Sequence, residues 1–140
     1  MSIIGGLFNF SDRLQMESLG LRAKRNDVVT ANIANSETPG YRAFGFDFEK
    51  QLQDVGKMNE PNGMRVSNPR HILNSFTGAN GRITPDVYVT PTESVDEDGN
   101  TVDVDREMSA MAKNQILYRT TVETLNRKIG MLKYAINGGR

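Results

Sequence analysis

Apolar residues crowd towards the two ends of this chain, and near the start they fall into a single ladder. Leu7, Leu14, Leu21, Val28 and Asn35 recur every seven residues, Ala31 joins their face, and no proline interrupts them. Ser11, with Asp12 beside it, offers an N-cap, because a hydroxyl accepts an orphan amide and a carboxylate suits the positive end of the helix dipole. The pattern predicts a helix from Ser11 to about Asn35, roughly 36 Å long. Glu17 and Lys24 stand where a second apolar row would run, so the second row is ragged. The helix should end at Ser36-Glu37-Thr38-Pro39-Gly40-Tyr41. Proline disfavours helix at the residue before it, and Pro39-Gly40 fits the central pair of a type II turn, where glycine supplies the positive φ.

Asn32 and Asn35 admit two readings. Asparagine is common where helices end. Alternatively Asn35, continuing the ladder, would point its amide into a packed seam, where a polar group costs stability but fixes register and partner number.

The last segment has the strongest periodicity. Met108, Met111, Gln115, Tyr118, Val122, Leu125, Ile129, Leu132 and Ile136 alternate at spacings of three and four, as in a coiled-coil seam. Asp103, Asp105 and Glu107 gather at its start and Arg127, Lys128 and Lys133 near its end, each set complementing the macrodipole. Asn137-Gly138-Gly139 supplies a C-cap. The helix should run for roughly 50 Å. A second stripe, Ala110, Leu117 and Met131 with Ile116 beside them, would face away from a single partner helix. A two-helix hairpin cannot cover both stripes, so a neighbouring subunit is expected to cover the second.

Between the ends the character changes. From about Gly45 to Asn100, Gly, Pro, Asn and Thr dominate. Phe44, Phe46 and Phe48 alternate as a short strand would, and Val87, Val89, Val95, Val102 and Val104 flank Asp98-Gly99, a hairpin turn pair. Pro91 demotes the first arm to an edge. The fold expected is mainly α, with N- and C-terminal helices packed as a coiled-coil-like hairpin around a small irregular or β middle segment. Residues 1–44 and 101–140 should form one discontinuous domain, and residues 45–100 a loop-rich insertion.

Composition narrows the chemistry. Of 140 residues none is cysteine, which removes disulfides, thiolate nucleophiles and Cys-based zinc sites. Lys+Arg and Asp+Glu both total 17, so nothing draws the chain as a whole towards nucleic acid or acidic lipid. The cluster Arg22-Lys24-Arg25 shares its helix with Glu17 and Asp27 and is expected to be a solvated face. His71 is the sole histidine and cannot alone build a metal site. Asp96-Glu97-Asp98-Gly99-Asn100 lacks the order and closing Glu of a calcium loop, so a solvated hairpin tip is expected. No phosphate loop, nucleophile elbow or helical H-E-x-x-H occurs, and no catalytic residue, cofactor, metal or small-molecule substrate is expected. The first residues carry no leading basic charge and no apolar run approaches the ~18 residues of a membrane span, so neither a cleaved signal nor membrane insertion is expected.

The stretch Ala31-Asn32-Ile33-Ala34-Asn35-Ser36-Glu37-Thr38-Pro39-Gly40-Tyr41 resembles the A-N-I-A-N-x-x-T-P-G-Y motif of the flagellar rod and hook axial proteins. Leu21-Arg22-Ala23-Lys24-Arg25, Phe46-Asp47-Phe48-Glu49, Pro69-Arg70-His71-Ile72 and Val102-Asp103-Val104-Asp105-Arg106-Glu107-Met108 are similar to the short proximal-rod branch of that family, although Asn68 stands where that branch often has histidine. The likeness covers both ends well and the middle thinly. It implies export through the flagellar type III apparatus without signal cleavage and helical assembly into the rod that crosses the periplasm. It also implies, as neighbours, copies of itself, other rod proteins, the export gate and the adaptor at the rod base. Asn32, Asn35, Thr38, Pro39, Gly40 and Tyr41 are then the motif residues. Leu14, Leu21 and Val28, with the nine seam positions of the last helix, form the assembly seam, and Ile116, Leu117 and Met131 the inter-subunit stripe. Another short rod protein, or a cytoplasmic coiled-coil adaptor or export chaperone, is the alternative.

Overall fold

The computed structural model describes residues 9–58, 83–91, 95 and 97–138. The elements run α1 (Phe10–Ala34), β1 (Phe44–Asp47), α2 (Glu49–Met58), β2 (Asp86–Val89) and α3 (Val104–Ile136). Leu7 and His71 lie outside the described residues.

α1 begins two residues earlier than its Ser11 cap would place it. Asn9 is the N-cap, and it forms a reciprocal capping box with Asp12, whose Oδ2 accepts the Asn9 N–H at 2.8 Å. The box needs an acidic or amide side chain at N3, and Asp12 stands there when Asn9 is the cap; Ser11 would put Leu14 at N3. At the far end Asn35 is the C-cap, and its N–H reaches Ala31 O and Asn32 O at 3.2 and 3.1 Å. Tyr41 N–H then closes on Thr38 O at 3.2 Å around Pro39-Gly40, with Gly40 at φ +70°. That is the type II turn, with positive φ where glycine alone carries no steric penalty.

α3 is the longest element, 33 residues, capped by Asp103 through the Arg106 N–H at 3.1 Å. It runs antiparallel to α1. Lys128 meets Asp12, and Asn114 Nδ2 donates to Arg22 O at 2.8 Å, so the register descends along one helix as it rises along the other. Both contacts are polar, and neither belongs to the apolar ladder of α1.

That ladder faces elsewhere. Leu21 is buried with Phe46, Phe48 and Ile83, and Leu14, Val28, Leu52 and Val55 pack against this cluster. The core therefore sits between α1 and the middle segment. Phe48 has 0% of its surface exposed, and burial on that scale is worth roughly 1.5–3 kcal/mol. Its ring meets Phe46 edge to face, with centroids 6.0 Å apart.

The middle segment differs from expectation in two ways. Residues Glu49–Met58 form a helix where a loop-rich stretch was expected. Its apolar residues, Leu52 and Val55, are spaced to cover the core from one side. β2 also pairs with β1 and not with residues beyond Asp98-Gly99. The ladder is antiparallel, Phe44 opposite Val89 and Asp47 opposite Asp86. Pro91 follows β2 closely and has no N–H to extend a strand. Asp98-Gly99 does turn the chain, with Gly99 at φ +77°, but the turn docks onto the end of α1.

Candidate assembly interface

The motif stretch at the end of α1 is organised by Asn32, whose side chain is 0% exposed. Its Nδ2 donates to Phe44 O at 2.9 Å, and its Oδ1 accepts Phe44 N–H at 3.1 Å. A primary amide thus pairs with both polar groups of one residue, as a neighbouring strand would. Oδ1 also accepts the Tyr41 hydroxyl at 3.2 Å. Arg25 extends the same edge, its Nε and Nη2 donating to Phe46 O at 2.9 and 2.7 Å. α1 therefore covers three of the four outward backbone groups of Phe44 and Phe46 with two side chains. Asn35 takes the helix-end role instead: its Nδ2 donates to Ala31 O at 2.7 Å and its Oδ1 accepts Thr38 Oγ1 at 3.3 Å. Its amide stays on its own helix end and does not enter a helix–helix seam.

A second turn locks onto this corner. Asn100, buried, donates its Nδ2 to the carbonyls of Asn35, Ser36 and Thr38 at 2.9, 2.8 and 2.9 Å. These carbonyls lie just past the end of α1, and those of Asn35 and Thr38 also accept the backbone N–H groups of Thr38 and Tyr41. Gly40 N–H donates to Asp98 O at 2.9 Å, and Thr101 N–H to Tyr41 O at 3.1 Å. Asn100 escaped the sequence reading because its partners lie more than 60 residues away. The sole local signal was its place after Asp98-Gly99.

The basic cluster is not a solvated face. Arg22 is buried, and Arg22 and Arg25 both lie over the Phe48 ring, 5.5 and 4.8 Å from its centroid. Arg25 also pairs with Glu49, 2.7 Å to Oε2. Burial alone would raise the Glu49 pKa, but the Arg25 hydrogen bond and charge bring it below the usual range. Of the three basic residues, Lys24 alone is exposed. Phe48 needs cover on the helix side, and long side chains supply it with their stems and guanidinium planes.

On α3 the side turned to α1 is rotated from the apolar row of the sequence pattern. Leu125 is buried, and Met111, Val122 and Leu132 are half-buried. Asn114 is buried beside them, while Gln115 is exposed. Tyr118, Ile129, Met108 and Ile136 are 40%, 47%, 58% and 73% exposed. The intrachain contact thus uses the polar Asn114 and Lys128, and much of the apolar row remains open. Ile116 and Met131 are each 65% exposed. Leu117, expected beside them, is half-buried and lines a groove of about 710 Å³ between α1, β1 and α3, with Val28, Val29 and Phe44.

Two carboxylates of this contact are shifted in opposite directions. The Lys128 hydrogen bond holds the Asp12 carboxyl below its usual range, against the effect of burial and with help from the Asn9 N–H. Burial pushes the Glu107 carboxyl up, although Asn32 and Arg106 oppose it.

Among the described residues, an asparagine-pinned corner closes the helix pair, and several large apolar side chains of α3 stay exposed. Residues 13–42, from the first turns of α1 through the corner, match the family described as Flagella basal body rod protein. The chain is 37% identical over 130 residues to the flagellar basal body rod protein FlgB of Yersinia ruckeri, covering 90% of this chain and 93% of that one. It is 33% identical to FlgB of Escherichia coli K12, with the same coverage, and 35% identical to FlgB of Cereibacter sphaeroides, over 92% of this chain and 97% of that one. The chain belongs to the FlgB family of flagellar basal body rod proteins. It is a structural subunit of that rod, and the cytoplasmic adaptor reading is not favoured.

Proposed function

We propose that this subunit occupies the proximal rod, assembling helically with copies of itself and other rod proteins through the open rows of α3. The observation that supports this most directly is the exposure of Ile116 and Met131 on the side of α3 turned away from Leu125, together with Ile129 and Ile136 towards its C-terminal end. Side chains of this size gain roughly 1.5–3 kcal/mol each when buried, and a lattice repeats that gain at every contact. The motif residues Asn32, Asn35, Thr38, Pro39, Gly40 and Tyr41 act by shape, setting the angle between α1 and the β-ribbon so that neighbours meet a defined surface. The subunit works without catalysis, cofactor or metal. It reaches the periplasm through the flagellar type III apparatus without a cleaved signal, meeting the export gate and the rod-base adaptor there. No described helix is long and apolar enough to cross a membrane.

The double variant Ile116→Asp/Met131→Asp tests this reading in cells lacking the native gene. Export of the chain should continue while swimming is lost, because the substitutions touch outward positions only. Normal swimming would remove these positions from the assembly surface.

A further inference from the structure

The two edges of the β-ribbon are treated differently. In this ladder Thr90 N–H donates to Ala43 O at 2.8 Å, and Phe44 lies opposite Val89. Residues 44 and 46 of β1 therefore turn their backbone groups away from β2, and residues 87 and 89 of β2 turn theirs away from β1. Three of these four β1 groups, the Phe44 N–H and C=O and the Phe46 C=O, are taken by Asn32 and Arg25. Among the described residues nothing pairs with the outer edge of β2. Val87, Tyr88 and Val89 are 60%, 43% and 47% exposed along it. An apolar edge with open N–H and C=O groups is a template for another strand.

The sequence of that edge says which strand. Pro85-Asp86-Val87-Tyr88-Val89-Thr90-Pro91 reads almost the same in both directions about Tyr88. Antiparallel pairing of the edge with itself sets Tyr88 against Tyr88, Val87 against Val89 and Asp86 against Thr90. Aromatic and β-branched residues then meet their own kind across the strands, and the two aspartates do not face each other. Pro85 meets Pro91 at both ends, where the ladder must stop. Asp86 is already held by Gln51 Nε2 at 2.8 Å and does not point a bare charge at the partner.

We propose that the β2 edge is a self-pairing site, joining two copies of this chain into a four-stranded antiparallel sheet about a twofold axis at Tyr88. The contact is small and therefore weak and concentration-dependent. It is also isologous and closed, so it cannot propagate a filament. It belongs to unassembled copies, whose exposed strand edges it covers, and does not depend on where in the rod the chain sits.

The absence of native cysteine makes the register testable in the full chain. Paired through their outward backbone groups, Val87 of one copy and Val89 of the other would have Cα atoms about 5.5 Å apart, within disulfide reach. Val87 of one copy and Val87 of the other would exceed about 7 Å, beyond it. Both side chains are exposed, so Val87→Cys and Val89→Cys should fold normally. An equimolar mixture of the two variants under mild oxidation should form disulfide dimer several-fold faster than either variant alone. Tyr88→Cys, which lies on the axis, should cross-link with itself as fast as the mixture. Equal rates for the mixture and the single variants would mean random collision and overturn the proposal, as would absence of dimer from the mixture.

Discussion

At the scale of single residues, Asn32 bears more of the fold than its size suggests. Removing its amide strands the N–H and C=O of Phe44 and the Tyr41 hydroxyl in a corner that the side chain closes completely. Asn32→Ala should therefore cost roughly 2–4 kcal/mol, read as a lower urea midpoint with little change in slope. Asn35→Ala removes only local bonds at an end already held by Asn100, and should cost about 1 kcal/mol or less. Equal losses would mean that Asn32 does not act through the strand edge. Asp12 provides the pH dependence. Its carboxyl is held below the ordinary value of 3.8 by Lys128, so the unfolded chain takes up its proton first as pH falls. The stability it contributes is fully present above that value and disappears as pH drops through the lower folded value. The stability gap between wild type and Asp12→Asn should accordingly be constant near neutrality and shrink in acid. A gap that persists undiminished to the acid limit would rule out the ion pair as its source.

At the scale of elements, the long helices were plain in the sequence and the faces they use were not. Seven-residue and three-four spacings mark α1 and α3 because apolar periodicity survives whatever covers the stripe. They do not say what covers it. Leu14, Leu21 and Val28 turn out to pack on the middle segment, and Asn114 and Lys128 face α1 where Gln115 and Ile129 were expected. In an ordinary monomer the most apolar row faces inward, and α3 departs from that rule. α2 was hidden by its Gly, Gln and Lys content, although Leu52 and Val55 are spaced for one buried side. The β pairing was hidden by distance, since β1 and β2 lie some 40 residues apart and no turn signal connects them. The motif at the end of α1 was legible as a motif, but its partner Asn100 was not. Two substitutions separate the faces of α3. Leu125 is 8% exposed, so Leu125→Asp should remove roughly 1.5–3 kcal/mol of apolar burial and add the cost of desolvating a carboxylate. Ile116→Asp, at 65% exposure, should leave the isolated subunit within about 0.5 kcal/mol of wild type. Thermal melts of the two variants check this, and comparable destabilisation would place Ile116 in an intrachain contact.

At the scale of the whole molecule, several large apolar side chains of α3 stay exposed while the α1–α3 contact is largely polar. The contact between α1 and α3 includes an ion pair and a buried amide, and its net worth is modest because both must lose water to form. The compact core lies to one side, between α1 and the β-ribbon, where Arg22 and Arg25 cover Phe48. This division suits a rod protein. A rigid corner fixes the angle of the subunit, while a long helix with open rows can be gripped from several directions. Stability of the helix pair should then rise on assembly, because neighbours binding only the folded form add their binding energy to it. The most direct test is a structure of the purified basal body at side-chain resolution. Ile116, Ile129, Met131 and Ile136 should lie in contacts between rod subunits, with Asn32 still paired to Phe44. Those four side chains facing solvent or the central channel would contradict the account.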